Sequence, residues 1–338
     1  MNKDDTRMKS LVVEQPGKAR LEDMPIPQCG PQDVLIRVHA SGICGTDVHI
    51  YRGEYLGDYP IVPGHESAGV VDSVGSDVSE FQTGDDVAFE PNISCGFCRA
   101  CLEHRENFCE RWQGIGVTRP GSMAEYVVVP QQNVFPTTGL PAETACFMEP
   151  LSCVLHGIER ARLKLADRIL VLGAGPIGTL LLQTARAQGV AAATVLERND
   201  SRLKLAEEHG ADRLVRTFDE LSPDSFDVVI DATGSIEVLE RAIEFVRYGG
   251  TMLFFGVAPR GEQMRIEPFQ IFRKGLTIVS SYTSLRNSYQ AIGMLKSGVV
   301  KVASLVSHRL ALDEFAHGIE LIESGADDVR KVVILPYE

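Results

Sequence analysis

The sequence has no apolar run approaching the roughly 20 residues that a membrane-spanning helix requires, so no transmembrane segment is expected. It also lacks a basic excess: 33 Lys and Arg stand against 46 Asp and Glu, a formal charge of −13. A DNA or RNA binder needs a basic face to displace counterions, so nucleic acid is excluded as a partner. The opening MNKDDTRMKS carries no apolar segment of a secretory signal, and the chain shows neither internal repeats nor low-complexity stretches. Without such a signal, the eight cysteines read as metal ligands or thiols rather than as a disulfide framework. A cytoplasmic, reducing location is the expectation. Residues 1–7 read as a disordered extension, with a first strand beginning near Met8.

What is present changes character along the chain. At 338 residues, two domains are expected. From Leu11 to about Phe135, short β-like runs such as VLIRVHA, AGVVDSV and AEYVVVP are broken by Gly and Pro. Residues 141–161 read as helical, with Leu151, Val154, Leu155 and Ile158 on one face and Pro150 in a first turn. From Asp167 onward strands alternate with helices, from RILVL through AATVLE and FDVVIDATG to LTIVSSYT, which calls for an α/β fold with a doubly wound parallel sheet. The expected division is 8–155 with 285–338, and 156–284.

Three constellations carry chemistry. Cys95, Cys98, Cys101 and Cys109 follow the spacing C-x2-C-x2-C-x7-C, which suits one closed tetrahedral Zn²⁺ site that staples a loop. Gly173-Ala174-Gly175-Pro176-Ile177-Gly178 is a G-x-G-x-x-G turn between an apolar strand and a helix, followed 19 residues past Gly178 by Glu197. That context predicts a dinucleotide site, with the pyrophosphate at the helix N-terminus and Glu197 on the adenosine ribose. Glu197 favours NAD; Arg198 beside it can pair with a 2′-phosphate and keeps NADP possible. Cys44 in a glycine-flanked loop, His65 in Gly64-His65-Glu66, and Glu149 offer a thiolate, an imidazole and a carboxylate. Three such ligands leave a coordination position open for catalysis.

The C-G-T-D-x-H stretch, GHE-x2-G over residues 64–69, the four-cysteine lobe and GAGPIG occur in one order that resembles the zinc-containing medium-chain alcohol dehydrogenases. The resemblance covers residues 8–338 and implies a GroES-like β-rich catalytic domain with a zinc lobe at 95–109, and a Rossmann NAD-binding domain. It implies one catalytic and one structural zinc, and a homo-oligomer, in the polyol branch often a tetramer. Carried onto this chain, it makes Cys44 and His65 ligands of the catalytic zinc, with either Glu66 or Glu149 supplying the carboxylate and Glu66 favoured. Thr46 begins a hydroxyl relay for the substrate proton, and His49 either ends it near solvent or bonds the ribose.

Phe89-Glu90-Pro91-Asn92 and Glu149-Pro150-Leu151 resemble sorbitol and xylitol dehydrogenases, while CGTDVHIY and GIGVTRPGSMAEY resemble threonine 3-dehydrogenases at least as well. Ser281 stands where sorbitol dehydrogenases tend to carry an arginine before the tyrosine. Tyr51 and Tyr282 are the aromatic candidates for the substrate wall. The expected activity is oxidation of a secondary hydroxyl of a polyol or sugar alcohol, with threonine or a vicinal diol such as butanediol as the alternative. A catalytically idle dinucleotide-binding protein is the remote one.

Overall fold

The structure, a computed structural model, describes residues 6–326 and 328–337. Its Cα framework divides into a unit of Met1–Pro150 with Ser288–Glu338 and a unit of Leu151–Asn287.

The first unit is built on a sheet whose central strand, Asp33–Gly42, turns Val34, Ile36, Val38 and Ala40 onto one fully buried face, while on the other Arg37 is exposed and Asp33 and His39 are half-buried. Such alternation is what an antiparallel sheet with one face on the core produces. Glu66–Val74 pairs antiparallel with it on one side, and Lys331–Ile334 and Tyr126–Pro130 pair along the other. Asp86–Phe89 and Val134–Pro136 extend one edge, and Val306–Leu310 closes the other. Val306–Leu310 and Lys331–Ile334 run parallel, so the chain must cross over between them, and helix Phe315–Ser324 does so. Its Phe315, Ile319 and Leu321 pack with Ile43, Val332 and Ile334 in a shared core. This brings the last strand beside the ends of two strands from the start of the chain.

The second unit holds a six-stranded, all-parallel sheet. Numbered by their appearance in the unit, Arg168–Leu172, Ala192–Leu196, Arg213–Val215, Phe226–Asp231, Val246–Phe254 and Thr277–Ser280 lie in the order 3-2-1-4-5-6. That is the doubly wound dinucleotide-binding arrangement, and its crevice opens at the carboxyl end of the first strand.

Four local features differ from expectation. The helical reading of 141–161 is two helices, Ala142–Ala145 and Met148–Ala161. Pro150 explains the break, because its ring would collide with the carbonyl four residues back, at Cys146, if one helix ran through. The stretch after Cys44, read as a loop, is helix Gly45–Arg52. Helix Pro268–Lys274, which was not expected, is only seven residues long and buries none of them, its Phe269 and Phe272 being exposed. Thr6 accepts a hydrogen bond from the Ile26 N–H, and strand Arg7–Gln15 begins one residue before Met8, so the extension ends sooner than expected; residues 1–5 lie outside the described part. No helix among the described residues is long and apolar enough to cross a membrane.

Candidate functional site

Among the described residues, two groups of side chains could hold a metal ion, and both lie in the first unit. In the lobe, the cysteines come from a turn, the short helix Arg99–Leu102 capped by Cys98, and the end of the 3₁₀ turn Glu106–Phe108. Sγ–Sγ separations are 3.4 Å for Cys98–Cys101 and 3.9 Å for Cys95–Cys101 and Cys98–Cys109. Zn–S bonds of about 2.3 Å give tetrahedral edges of about 3.8 Å, so the sulfurs already have the spacing of a zinc cage. Backbone N–H groups of Cys95, Cys98 and Arg111 donate to these sulfurs. Amides of Cys101 and Glu110 lower the Cys98 thiol to about 6, while burial and the neighbouring Cys98 raise Cys101 to about 12. Four sulfurs this close do not ionise together without a cation among them.

The second group is Cys44, His65 and Glu66, with ligand atoms all within 4.8 Å of one another. Cys44 caps helix Gly45–Arg52, and Glu66 opens strand Glu66–Val74, so the group gathers where neighbouring strands end. Glu149 is buried on the first turn of helix Met148–Ala161, yet lies outside this group. The donor set is one thiolate, one imidazole and one carboxylate, which fits an open zinc site.

Two residues that sequence reasoning missed support the group. Asp47 is fully buried; its Oδ2 accepts the Cys44 N–H at 2.8 Å and its Oδ1 the Gly64 N–H at 3.1 Å. The same Oδ1 lies 3.5 Å from His65 Nδ1. Burial works against a charged imidazole, but the Asp47 carboxylate and the Cys44 sulfur outweigh it and hold the His65 pKa well above its ordinary value. An environment that attracts a proton this strongly also attracts a dication. Lys331, the first residue of the last strand, is the other: its ammonium pairs with the Glu66 carboxylate, and both side chains are buried. Burial would discharge this lysine, yet Glu66 and then Cys44 outweigh it and keep it charged. A short polar residue three places after the cysteine was the available signal for Asp47; nothing in the sequence signalled Lys331.

Thr46 and His49 lie three apart on helix Gly45–Arg52, hence on one face, both half-buried. His49 Nδ1 is 2.8 Å from Glu54 Oε2, which leaves Nε2 as its other hydrogen-bonding atom. Tyr51 donates its hydroxyl to the Gly17 carbonyl at 3.0 Å and sets its ring edge-on against Phe315, which is a packing role. In the second unit, Tyr282 is 41% exposed. Ser281 Oγ lies 3.3 Å from His156 Nδ1, which donates to the Thr283 carbonyl at 2.8 Å.

The glycine turn lies at the carboxyl end of strand Arg168–Leu172 and opens helix Pro176–Gln188, with Gly175 as its cap. Gly173 has φ of +91°, and a Cβ on Gly178 would sit 2.0 Å from the Gly173 oxygen. A Cβ on Gly175 meets nothing within 4 Å, so the backbone there is open to a close ligand. Pro176 lacks an N–H to donate, and Ile177 follows it in the first turn. Glu197 accepts the N–H of Ala174 at 2.9 Å and those of Arg198 and Asn199 at 2.7 and 3.0 Å, tying the second strand to the turn. The Arg198 side chain is exposed.

Residues 30–141 match the alcohol dehydrogenase GroES-like domain family, and residues 176–297 match the zinc-binding dehydrogenase family. A D-altritol 5-dehydrogenase of Agrobacterium fabrum is 38% identical over 91% of this chain and 94% of its own length. An L-threonine 3-dehydrogenase of an Anaeromyxobacter species is 36% identical over 94% of this chain and 97% of its own. A crystal structure from Sinorhizobium meliloti 1021, described as a zinc-binding dehydrogenase bound to NADP, superposes with a TM-score of 0.94 at 34% identity, covering 98% of this chain and all of that one.

Proposed function

The chain belongs to the zinc-binding alcohol dehydrogenase family, and we propose that it oxidises a secondary hydroxyl of a polyol or sugar alcohol to the ketone, with NAD as hydride acceptor. The observation that carries this reading is the Cys44–His65–Glu66 group, its His65 and Glu66 buried and Cys44 half-buried, with Asp47 and Lys331 behind it. Cys95, Cys98, Cys101 and Cys109 take the structural zinc, and Cys44, His65 and Glu66 the catalytic one, with Glu149 as the further carboxylate. When bound, the catalytic zinc supplies a Lewis acid that lowers the pKa of the substrate hydroxyl, and the dinucleotide supplies the hydride acceptor.

The residues of the chain do the rest. Asp47 fixes the Cys44 and Gly64 backbones and sets its carboxylate 3.5 Å from the His65 ring, so the segments that carry the donor atoms are held before any ligand arrives. Thr46 Oγ1 takes the hydroxyl proton and His49 Nε2 passes it outward, its Nδ1 held by Glu54. The Gly173–Gly178 turn takes the pyrophosphate, and Glu197 takes the ribose in exchange for its bond to Ala174. A 2′-phosphate would meet that carboxylate, which favours NAD, although the Sinorhizobium protein binds NADP.

The polyol assignment draws on the altritol dehydrogenase; the threonine dehydrogenase supports threonine, or a vicinal diol, as the second reading. We also take the enzyme to be a cytoplasmic homotetramer, which sedimentation of the purified protein would test. The deciding assay runs the protein with NAD and NADP against pentitols, hexitols, inositols, butanediol and threonine. Turnover of pentitols or hexitols is expected; turnover of threonine alone would overturn the assignment.

A further inference from the structure

The Glu66–Lys331 pair is a built feature. Gly42 lies between the two strands that carry it, in register with Glu66 on one side and Val333 on the other. A Cβ at Gly42 would come within 2.6 Å of Glu66 Oε2 and 2.7 Å of Lys331 Cε. The φ of Gly42 is not positive, so glycine is required there for space and not for backbone conformation. The central strand gives up a side chain so that an ammonium and a carboxylate can meet beneath the catalytic group. Stability is a poor reason to keep such a pair, because burying both charges costs about as much as their attraction returns.

We propose that Lys331 is a positioning residue that sets how firmly Glu66 holds the catalytic ion. The inference rests on the reading of Cys44, His65 and Glu66 as a zinc site. A thiolate and a carboxylate together neutralise a dication, and the buried Asp47 carboxylate adds a negative charge that disfavours a negatively charged substrate oxygen. Lys331 changes the sum in two ways. It competes with the ion for the Glu66 carboxylate, making this ligand the readily exchanged member of the set. It also offsets the buried Asp47 carboxylate beside His65, so that a dication, Cys44, Glu66, Asp47 and Lys331 sum to zero instead of to the one negative charge that would oppose ionisation of the substrate hydroxyl. Lys331 need not touch the substrate to do either.

The test is the rate at which the purified holoenzyme releases zinc to a chromogenic chelator. The phase that disappears in Cys44→Ser reports the catalytic ion, and the remaining phase reports the cysteine lobe. Lys331→Met frees Glu66 for the ion, so release in the Cys44 phase should slow by roughly tenfold, within the range commanded by groups behind metal ligands. Its kcat should fall while KM for the dinucleotide stays unchanged. In a Glu66→Gln background the same substitution should leave the release rate unaltered. Lys331→Gln, which still offers an N–H to Glu66, makes a milder version of the change should the methionine variant not fold, and should slow release in the same direction. Faster zinc loss in Lys331→Met or Lys331→Gln, or an equal effect with and without Glu66, would overturn the proposal and leave Lys331 a structural residue. A wild-type enzyme with no Cys44-dependent phase would instead remove the zinc-site reading beneath it.

Discussion

Asp47 Oδ1 lies 3.5 Å from His65 Nδ1, in a site where Asp47 is fully buried and His65 nearly so. One carboxylate thereby hydrogen-bonds a helix cap and a glycine turn and faces an imidazole from another part of the chain. Asp47→Ala orphans the Cys44 and Gly64 N–H groups, each at about 1–3 kcal/mol, and frees the ring. Zinc affinity at this site should fall by roughly 10- to 100-fold. Elemental analysis after dialysis, with thermal unfolding alongside, measures both effects. Full zinc retention would show that the carboxylate does not orient the ligands.

The two metal groups should part under mutation. Cys101→Ser removes a buried sulfur from the four-cysteine group, so the lobe should lose its zinc and the melting temperature should fall. One zinc per subunit should remain, associated with Cys44. Loss of both ions from this variant would contradict two independent sites.

Glycine substitutions separate folding from binding. Gly178→Ala sets a Cβ 2.0 Å from a backbone oxygen and should destabilise the second unit as well as abolish dinucleotide binding. Gly175→Ala meets nothing in the protein and should melt within a degree or so of wild type. Its dinucleotide affinity should nonetheless drop by about tenfold or more, because the backbone can no longer approach the pyrophosphate. Titration of both variants with NAD, followed by nucleotide fluorescence, checks the contrast. Unaltered affinity in Gly175→Ala would place the pyrophosphate elsewhere.

Glu197→Gln keeps an acceptor for the Ala174 N–H and removes the negative charge. The ratio of kcat/KM for NADP to that for NAD should rise by about tenfold, as expected when a repulsion near 1.4 kcal/mol is lifted. A ratio that does not move would exclude Glu197 from coenzyme choice.

Thr46→Val preserves shape at a half-buried position and deletes the hydroxyl. The kcat for alcohol oxidation should fall by about 10²-fold, with zinc content and NAD affinity unchanged. A wild-type kcat would eliminate Thr46 as the proton acceptor.

Much of this was legible in the chain because the signals are local. The C-x2-C-x2-C-x7-C spacing, the strand–glycine–helix passage at Arg168–Gln188 and the helix end at Gly189 each lie within a few turns of backbone. The helix after Cys44 was missed because the stretch is short and half-buried, and its flanking glycines resemble a loop. The split at Cys146-Phe147 was available in principle from Pro150, whose clash reaches four residues back.

By itself the sequence determined the parallel sheet, the dinucleotide turn, the cysteine lobe and the residue types that can bind a catalytic ion. Their chemistry is carried by neighbours along the chain, and spacing suffices to read it. The tertiary structure gathered the Glu66 carboxylate within 4.8 Å of the Cys44 and His65 ligand atoms and left Glu149 out of that group. It also brought Lys331, 265 positions after Glu66, into contact with that carboxylate across the space left by Gly42. Charges so far apart in the chain meet only when strand order and register place them side by side, and no spacing rule encodes that meeting.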